Sequence, residues 1–342
     1  MSISNKYSRL LARRAPLEDR RFYKFAESFE TESGENTKYL LGAMKPIEAK
    51  YTKRLIEQGD RVENQLINKV GTQYPGLEFR RQGSVSNSTH IKYYSDVDIL
   101  VIIDKFITLQ PPQRATIIYQ GNPPDDLLEL RKCCKRELNS AFTAATIDDS
   151  GSNAIKIKDG SLICEVDVVP CNWYDTNDYS STSNEIFRGV MVLNKDTMIR
   201  TENYPFLFNH RIEEKDKSAR GLIRMLIRLL KTVKADAEDD GTTIDFSSFD
   251  ICSIIYAMPM PAIDTLLNQP LDIIITVLNW MKAIANNQQL QGTLSVIDET
   301  RKIFDKTEKA AEFIKLYKEI DSIYLVAMRE HNRAFISESH LK

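Results

Sequence analysis

The uninterrupted aliphatic run from Ile99 to Ile103 is entered directly from Ser95-Asp96-Val97-Asp98, with no turn residue between the acids and the apolar residues. Such a run predicts a β-strand, and side chains along a strand alternate, so Asp96 and Asp98 fall on one face. Two carboxylates held a pleat apart at a strand end, with no lysine or arginine between them, repel each other unless a cation is supplied. Magnesium meets that need, because it takes one or two carboxylates and leaves room for phosphate oxygens. An acidic pair at a strand start is also common as a plain exposed turn, so its chemistry has to be argued from what accompanies it.

A second strand accompanies it. Glu165-Val166-Asp167-Val168-Val169-Pro170 again sets acids on one face, and it follows the alternating segment 153–158 across Asp159-Gly160, which predicts a two-residue hairpin turn. Laid beside the first strand, it delivers a third carboxylate to the same place; by alternation both Glu165 and Asp167 are candidates. Three carboxylates on adjacent strands suit two metal ions and in-line phosphoryl transfer, one ion on the triphosphate and one on the attacking hydroxyl. Upstream, in Gln82-Gly83-Ser84, the glycine lets the backbone approach a phosphate and the serine supplies a hydroxyl and an N–H.

Around these strands the pattern is helical. Leu40, Leu41, Met44, Ile47, Tyr51, Leu55, Val62, Leu66 and Val70 recur at helical spacing, predicting one long amphipathic helix over 36–70 with a kink at Pro46. The proline-rich stretch 110–124 reads as an excursion, followed by a helix of about five turns over 125–146. Regularity is lost after Pro170 until about Asp216, where 217–238 predicts a strongly periodic helix. The remainder reads as helical through 244–258 and 271–284 to a long final segment around Val296 to Phe335. The expected fold class is α+β, with a sheet lobe and its long N-terminal helix over 1–210. A helical lobe over 211–342 is expected to pack against it around a ligand cleft.

Composition narrows the function. In 342 residues, 42% are apolar while Gly (13) and Pro (12) are scarce, which excludes disorder and fibre. A net charge of -2 excludes a general polycationic surface, so any basic site is local. The N-terminal residues have no apolar run of signal-peptide length and no stretch approaches the roughly 20 apolar residues of a membrane span, giving a cytoplasmic expectation. Five cysteines without a CxxC and four scattered histidines predict reduced thiols and no structural zinc.

Together Gln82-Gly83-Ser84, Asp96-Val97-Asp98, the Val166 to Pro170 strand and the later Asn203-Tyr204-Pro205 resemble the polymerase-β-type nucleotidyltransferases. Within these the match is to the cGAS/DncV-like nucleotidyltransferases (CD-NTases), bacterial anti-phage synthases of cyclic oligonucleotides. The resemblance implies a polymerase-β-like sheet lobe with the active site in the cleft. It implies Asp96, Asp98 and Asp167 as catalytic metal ligands, with Asp167 preferred to Glu165. Gln82, Gly83 and Ser84 become the phosphate turn. Two Mg²⁺ ions are implied as cofactors, with Mn²⁺ as a substitute, and nucleoside triphosphates, ATP among them, as substrates joined into a ring with release of pyrophosphate.

Lys217, Arg220, Arg224, Arg228 and Lys231 recur at three or four residues opposite Leu222, Ile223, Leu226, Leu229, Leu230 and Val233. This stripe reads either as a solvated face or as a triphosphate clamp. Relatives carry a phosphate-contacting lysine on this helix; the pattern puts Arg224 there, with Lys217 and Lys231 as the other candidates. Trp173, Tyr174 and Tyr204 read as base platforms or as packing. Arg9, Arg13, Arg14, Arg20 and Arg21 read as an exposed basic face. No zinc thumb is visible, so no nucleic acid is expected to be required, no membrane is expected as a partner, and control falls to a regulatory protein or metabolite. The competing readings are a nucleotidyltransferase that makes linear oligonucleotides or modifies RNA or protein, and a catalytically silent nucleotide-binding protein.

Overall fold

The computed structural model describes residues 4–12, 34–259 and 270–339. The chain divides into two compact units, one of Ala49–Ser88 with Ser95–Arg211, the other of Met1–Glu48, Thr89–Tyr94 and Ile212–Lys342. After α1 (Ser4–Ala12), the helix predicted over 36–70 is two helices, α2 (Glu35–Met44) and α3 (Ala49–Lys69). Pro46 ends the pattern instead of kinking it, since it removes a backbone donor and restricts the residue before it. By compactness, α2 groups with the C-terminal helices and α3 with the sheet.

In the sheet unit, β1 (Glu78–Gln82), β2 (Val97–Leu109), β3 (Thr146–Asp148), β4 (Ile155–Lys158) and β5 (Val166–Asp175) run in the order β1-β2-β5-β4-β3. Beyond them β6 (Gly189–Asn194) pairs with β5, and β7 (Ile199–Asn203) with β6. The central pair β2 and β5 is parallel, and β5 and the first part of β2, through Ile103, are buried on both faces. One face carries Leu100, Ile102, Val169, Cys171, Trp173, Val190 and Val192 as a packed cluster. Against the sheet pack α3, through Tyr51, Leu55, Val62 and Leu66, and α5 (Pro123–Ala141), through Leu127, Leu130, Cys134 and Leu138. Between them in the chain lies α4 (Gly83–Ser86), a single turn. Gly59 of α3 lets that helix approach closely, for a Cβ there would lie 2.8 Å from Val97 Cγ1. Proline is rare in a central strand, yet Pro170 is accommodated because β4 pairs with β5 only as far as Val168 and β6 begins at Cys171.

Three expectations for this unit are corrected. Asp159-Gly160 does not close a two-residue hairpin: both residues have positive φ (67° and 64°), but the loop continues to Glu165 and β4 pairs as Ile157 with Val166. The helix predicted over 125–146 stops at Ala141, and Thr146 starts β3. The region after Pro170 is regular, holding the rest of β5, α6 (Asn177–Thr182), β6, β7 and α7 (Pro205–Ser218). Short strands with polar edges hide their period from the sequence.

In the helical unit, α8 (Leu222–Asp239) packs against α2, α9 (Ser248–Tyr256) and α12 (Thr307–Ser339). Leu40, Met44, Leu226, Leu230, Val233, Ile255, Phe313 and Leu316 are buried there. The helices α10 (Pro270–Ala285) and α11 (Gln288–Thr293) precede α12, which starts later than predicted because residues before it form turns, with Glu299 at φ 65°. The helix predicted from 217 is also broken: Arg220 (φ 53°) and Gly221 (φ 92°) separate α7 from α8. Asp216 drives the break by accepting from the Arg224 N–H (2.9 Å) at the start of α8, capping donors that a continuous helix would have used. Of the N-terminal basic cluster, Arg9 is not part of a free exposed face but bonds Asp240 (2.9 Å); Arg13, Arg14, Arg20 and Arg21 lie outside the described residues.

Trp173 decides one reading. It is 1% exposed, its Nε1–H donates to Glu78 Oε1 (2.9 Å), and the Arg188 guanidinium lies 4.0 Å from its ring centroid. It is a core residue and offers no face to a base. Trp173→Ala should cost about 3 to 5 kcal/mol and Trp173→Phe less, read as a fall in the urea midpoint of the sheet unit's transition. An unchanged midpoint would contradict this packing role.

Candidate active site

The strand registers build one polar rung across the sheet. Gln82 pairs with Asp98, Asp98 with Asp167, Asp167 with Lys156, and Lys156 with Asp148. Residues directly opposite in a ladder share a face. The rung therefore lies on the same face as Leu100, Val169 and Trp173 and terminates that apolar cluster with charge. Asp96, one pleat before Asp98, joins the same group: Asp96, Asp98 and Asp167 each offer a carboxylate oxygen within 4.8 Å of the others, an arrangement that can hold a metal ion.

Asp167 is the strained member. It is 9% exposed, and burial, with the charge of Asp96, pushes its pKa up to about 6, which Lys156 offsets in part. Its Oδ1 is buried and makes no hydrogen bond, pairing with the Lys156 ammonium only at ion-pair range (3.5 Å). The fit to a divalent ion is good on this observation: a buried oxygen that makes no hydrogen bond faces two further carboxylates with only the more distant Lys156 ammonium to offset them, and an all-oxygen set suits hard ions such as Mg²⁺ or Mn²⁺ over softer ones. Glu165, the other candidate for the third carboxylate, is outside this group. Its carboxylate sits 3.1 Å from Lys156 Nζ and its carbonyl accepts from the Val97 N–H (3.0 Å).

The Gln82-Gly83-Ser84 turn is packed onto the acids. Gly83 has φ 80°, and a Cβ there would fall 1.9 Å from Asp98 Oδ2, so the carboxylate itself requires the glycine. Gln82 Oε1 accepts from Asn203 Nδ2 (3.1 Å), which fixes the residue entering the turn. Sequence reasoning missed Lys156 altogether and noted Asn203 without a role. For Lys156 the signal lay in the alternation Ile155-Lys156-Ile157, whose register became readable once β4 and β5 were paired.

The cations expected on one stripe differ in setting. Lys217 belongs to α7, is exposed, and pairs with Glu213 (3.0 Å) and Glu214 (3.1 Å). On α8, Arg224 pairs with Asp216 (3.0 Å), Arg228 is buried and donates to the Met44 carbonyl (3.0 Å), and Lys231 is buried and donates to the Thr89 carbonyl (3.1 Å). Tyr174 is buried, with its ring 6.0 Å from that of Tyr204, whose hydroxyl donates to Glu202 (2.8 Å).

A carboxyl whose folded-state pKa is raised favours the native state while protonated, so the contribution of Asp167 to metal-free stability is fully present below about pH 4 and is lost as pH rises through about 6. Asp167→Asn should therefore change little at pH 4 and add about 2 to 3 kcal/mol at pH 8, measured by urea denaturation in chelator. Equal effects at both pH values would contradict the burial account.

Residues 210–324 match the model of the cGAS/DncV-like nucleotidyltransferase C-terminal helical domain. The chain is 36% identical over 332 residues to the cyclic dinucleotide synthase CdnE of Yersinia aleksiciae, covering 96% of this chain and 86% of the relative. Among solved structures, a STING-associated CdnE c-di-GMP synthase from Flavobacteriaceae sp. superposes with a TM-score of 0.79 at 24% identity, over 96% of this chain and 98% of that one. The Rhodothermus marinus CdnE c-UMP-AMP synthase with Apcpp and Upnpp gives 0.64 at 18% identity, over 83% and 95%. Among the described residues no helix is long and apolar enough to cross a membrane. With its sheet, its carboxylate group and a relative of this identity along nearly its whole length, the chain belongs to the cGAS/DncV-like nucleotidyltransferases.

Proposed function

We propose that this protein is a cyclic dinucleotide synthase that joins two nucleoside triphosphates through successive phosphodiester bonds, releases pyrophosphate, and closes the product into a second messenger of anti-phage signalling. The observation that carries the reading is the rung: Asp98 and Asp167 side by side, Asp96 beside them, and the Gly83 turn against Asp98. Asp96, Asp98 and Asp167 would hold two Mg²⁺ ions, which would supply charge neutralisation on the triphosphate and acidify the attacking hydroxyl. Gly83 and Ser84 would place backbone and hydroxyl donors on the phosphates, and Asn203, through Gln82, keeps that turn in place.

The cations of α7 and α8 differ in how readily they could meet an anion. Lys217 presents its ammonium to solvent, Arg224 is shared with Asp216, and Lys231 would first have to leave the Thr89 carbonyl. The names of the relatives differ in base, c-di-GMP for one and c-UMP-AMP for another, so all four triphosphates have to be offered.

The test is incubation of pure protein with mixed labelled NTPs and Mg²⁺, without DNA or RNA, followed by phosphatase and mass analysis. A phosphatase-resistant cyclic dinucleotide is expected, and Asp96→Asn with Asp98→Asn should abolish it while the protein stays folded. Linear products alone would refute ring closure. Synthesis that starts only when a polynucleotide is added would replace this reading with a nucleic-acid sensor.

A further inference from the structure

The sheet itself puts a cation beside the carboxylates. Lys156 stands opposite Asp167 on the rung, and its ammonium bridges Glu165 Oε1 (3.1 Å) and Asp167 Oδ1 (3.5 Å). Its place is fixed by the strand: Ile155 and Ile157 on either side are fully buried, which sets the alternation that points Lys156 toward the acids. The loop before β4 is fastened by Arg131, itself buried, which donates to Asp149 Oδ1 (2.7 Å) and to the carbonyls of Gly151 (2.6 Å) and Ala154 (2.8 Å). The Lys156 side chain is 39% exposed, but its strand is fixed and its ammonium lies within reach of two acids at the edge of the carboxylate group.

We propose that Lys156 is a positioning residue that competes with the divalent ion for Asp167 and holds Glu165 out of the triad, so that the site takes up the ion weakly until a nucleoside triphosphate arrives with it. The inference rests on the metal-binding reading of Asp96, Asp98 and Asp167. Electrostatics fix its sign. A unit positive charge a few ångströms from a divalent ion opposes that ion's binding, and its removal leaves the neighbouring acids one charge more negative. Removal also releases Glu165, whose carboxylate is one pleat from Asp167 and free chemically to act as an additional oxygen ligand. Lys156 thus sorts the two acids of this segment, one into an ion pair and one into the triad.

Mn²⁺ alone, titrated without nucleotide and followed by the electron paramagnetic resonance of the free ion, tests the proposal. Lys156→Met should bind Mn²⁺ roughly tenfold more tightly than the unaltered protein, while kcat for synthesis falls more than KM changes. Lys156→Arg, which keeps the charge, should retain the original affinity. Adding Glu165→Gln to Lys156→Met restores the charge balance and should return affinity toward the original value. Unchanged or weaker Mn²⁺ binding in Lys156→Met, with Lys156→Arg folded and normal, overturns the proposal. Mn²⁺ binding that survives Asp96→Asn with Asp98→Asn overturns the metal reading instead, a separate failure visible before Lys156 is altered.

Discussion

Parallel pairing of β2 with β5 sets Asp98 directly beside Asp167, and neighbouring strands run about 4.8 Å apart. Two carboxylates at that spacing, on the edge of an apolar cluster, repel each other through a medium that screens them poorly. The protein spends stability to keep them there. Asp167 shows the cost directly, in a pKa raised to about 6 by burial and by Asp96. Much of the surrounding structure serves to make this unfavourable pairing persist. Aliphatic residues on both faces of β2 and β5 fix the register, since a slip of one residue would carry Asp98 and Asp167 to the opposite face and bury neither cluster correctly.

The close fits follow from the same constraint. Gly83 is needed because Asp98 occupies the space a Cβ would fill, so the Gln82-Gly83-Ser84 turn and the acidic pair are one packed object. Pro170 is tolerated because β4 and β6 divide the outer edge of β5 between them and leave its position unpaired on that side. Partial relief of the charge comes from Lys156 on β4, and the remaining deficit is what a divalent ion would fill.

Much of this was legible in the sequence, for physical reasons. The acids of Asp96-Val97-Asp98 and Val166 to Pro170 announce themselves because a strand's period of two is exact and the flanking runs are long and aliphatic. The register between β4 and β5 was not legible. Closing the hairpin at Asp159-Gly160 would pair Lys156 with Ile163, whereas the observed loop carries Lys156 opposite Asp167, and with it the cation that the sequence reading lacked. The reading of Lys217 to Lys231 as a stripe on one continuous helix failed for a related reason. Helical spacing assumes an unbroken helix, but Asp216 reaches forward to cap α8, the chain turns through Arg220 and Gly221, and Lys217 is left on a different helix from Arg224 and Lys231. The backbone carbonyls that Arg228 and Lys231 reach, of Met44 and Thr89, carry no local sequence signal.

The central claim is that the rung is a metal site whose third carboxylate is Asp167. Anomalous scattering from crystals soaked in Mn²⁺ with a non-hydrolysable nucleoside triphosphate analogue tests it most directly. The account predicts an anomalous peak in contact with carboxylate oxygens of Asp96, Asp98 and Asp167, with Glu165 still on Lys156. A peak ligated by Glu165 in place of Asp167, or no peak at the triad while the analogue is bound, would contradict it.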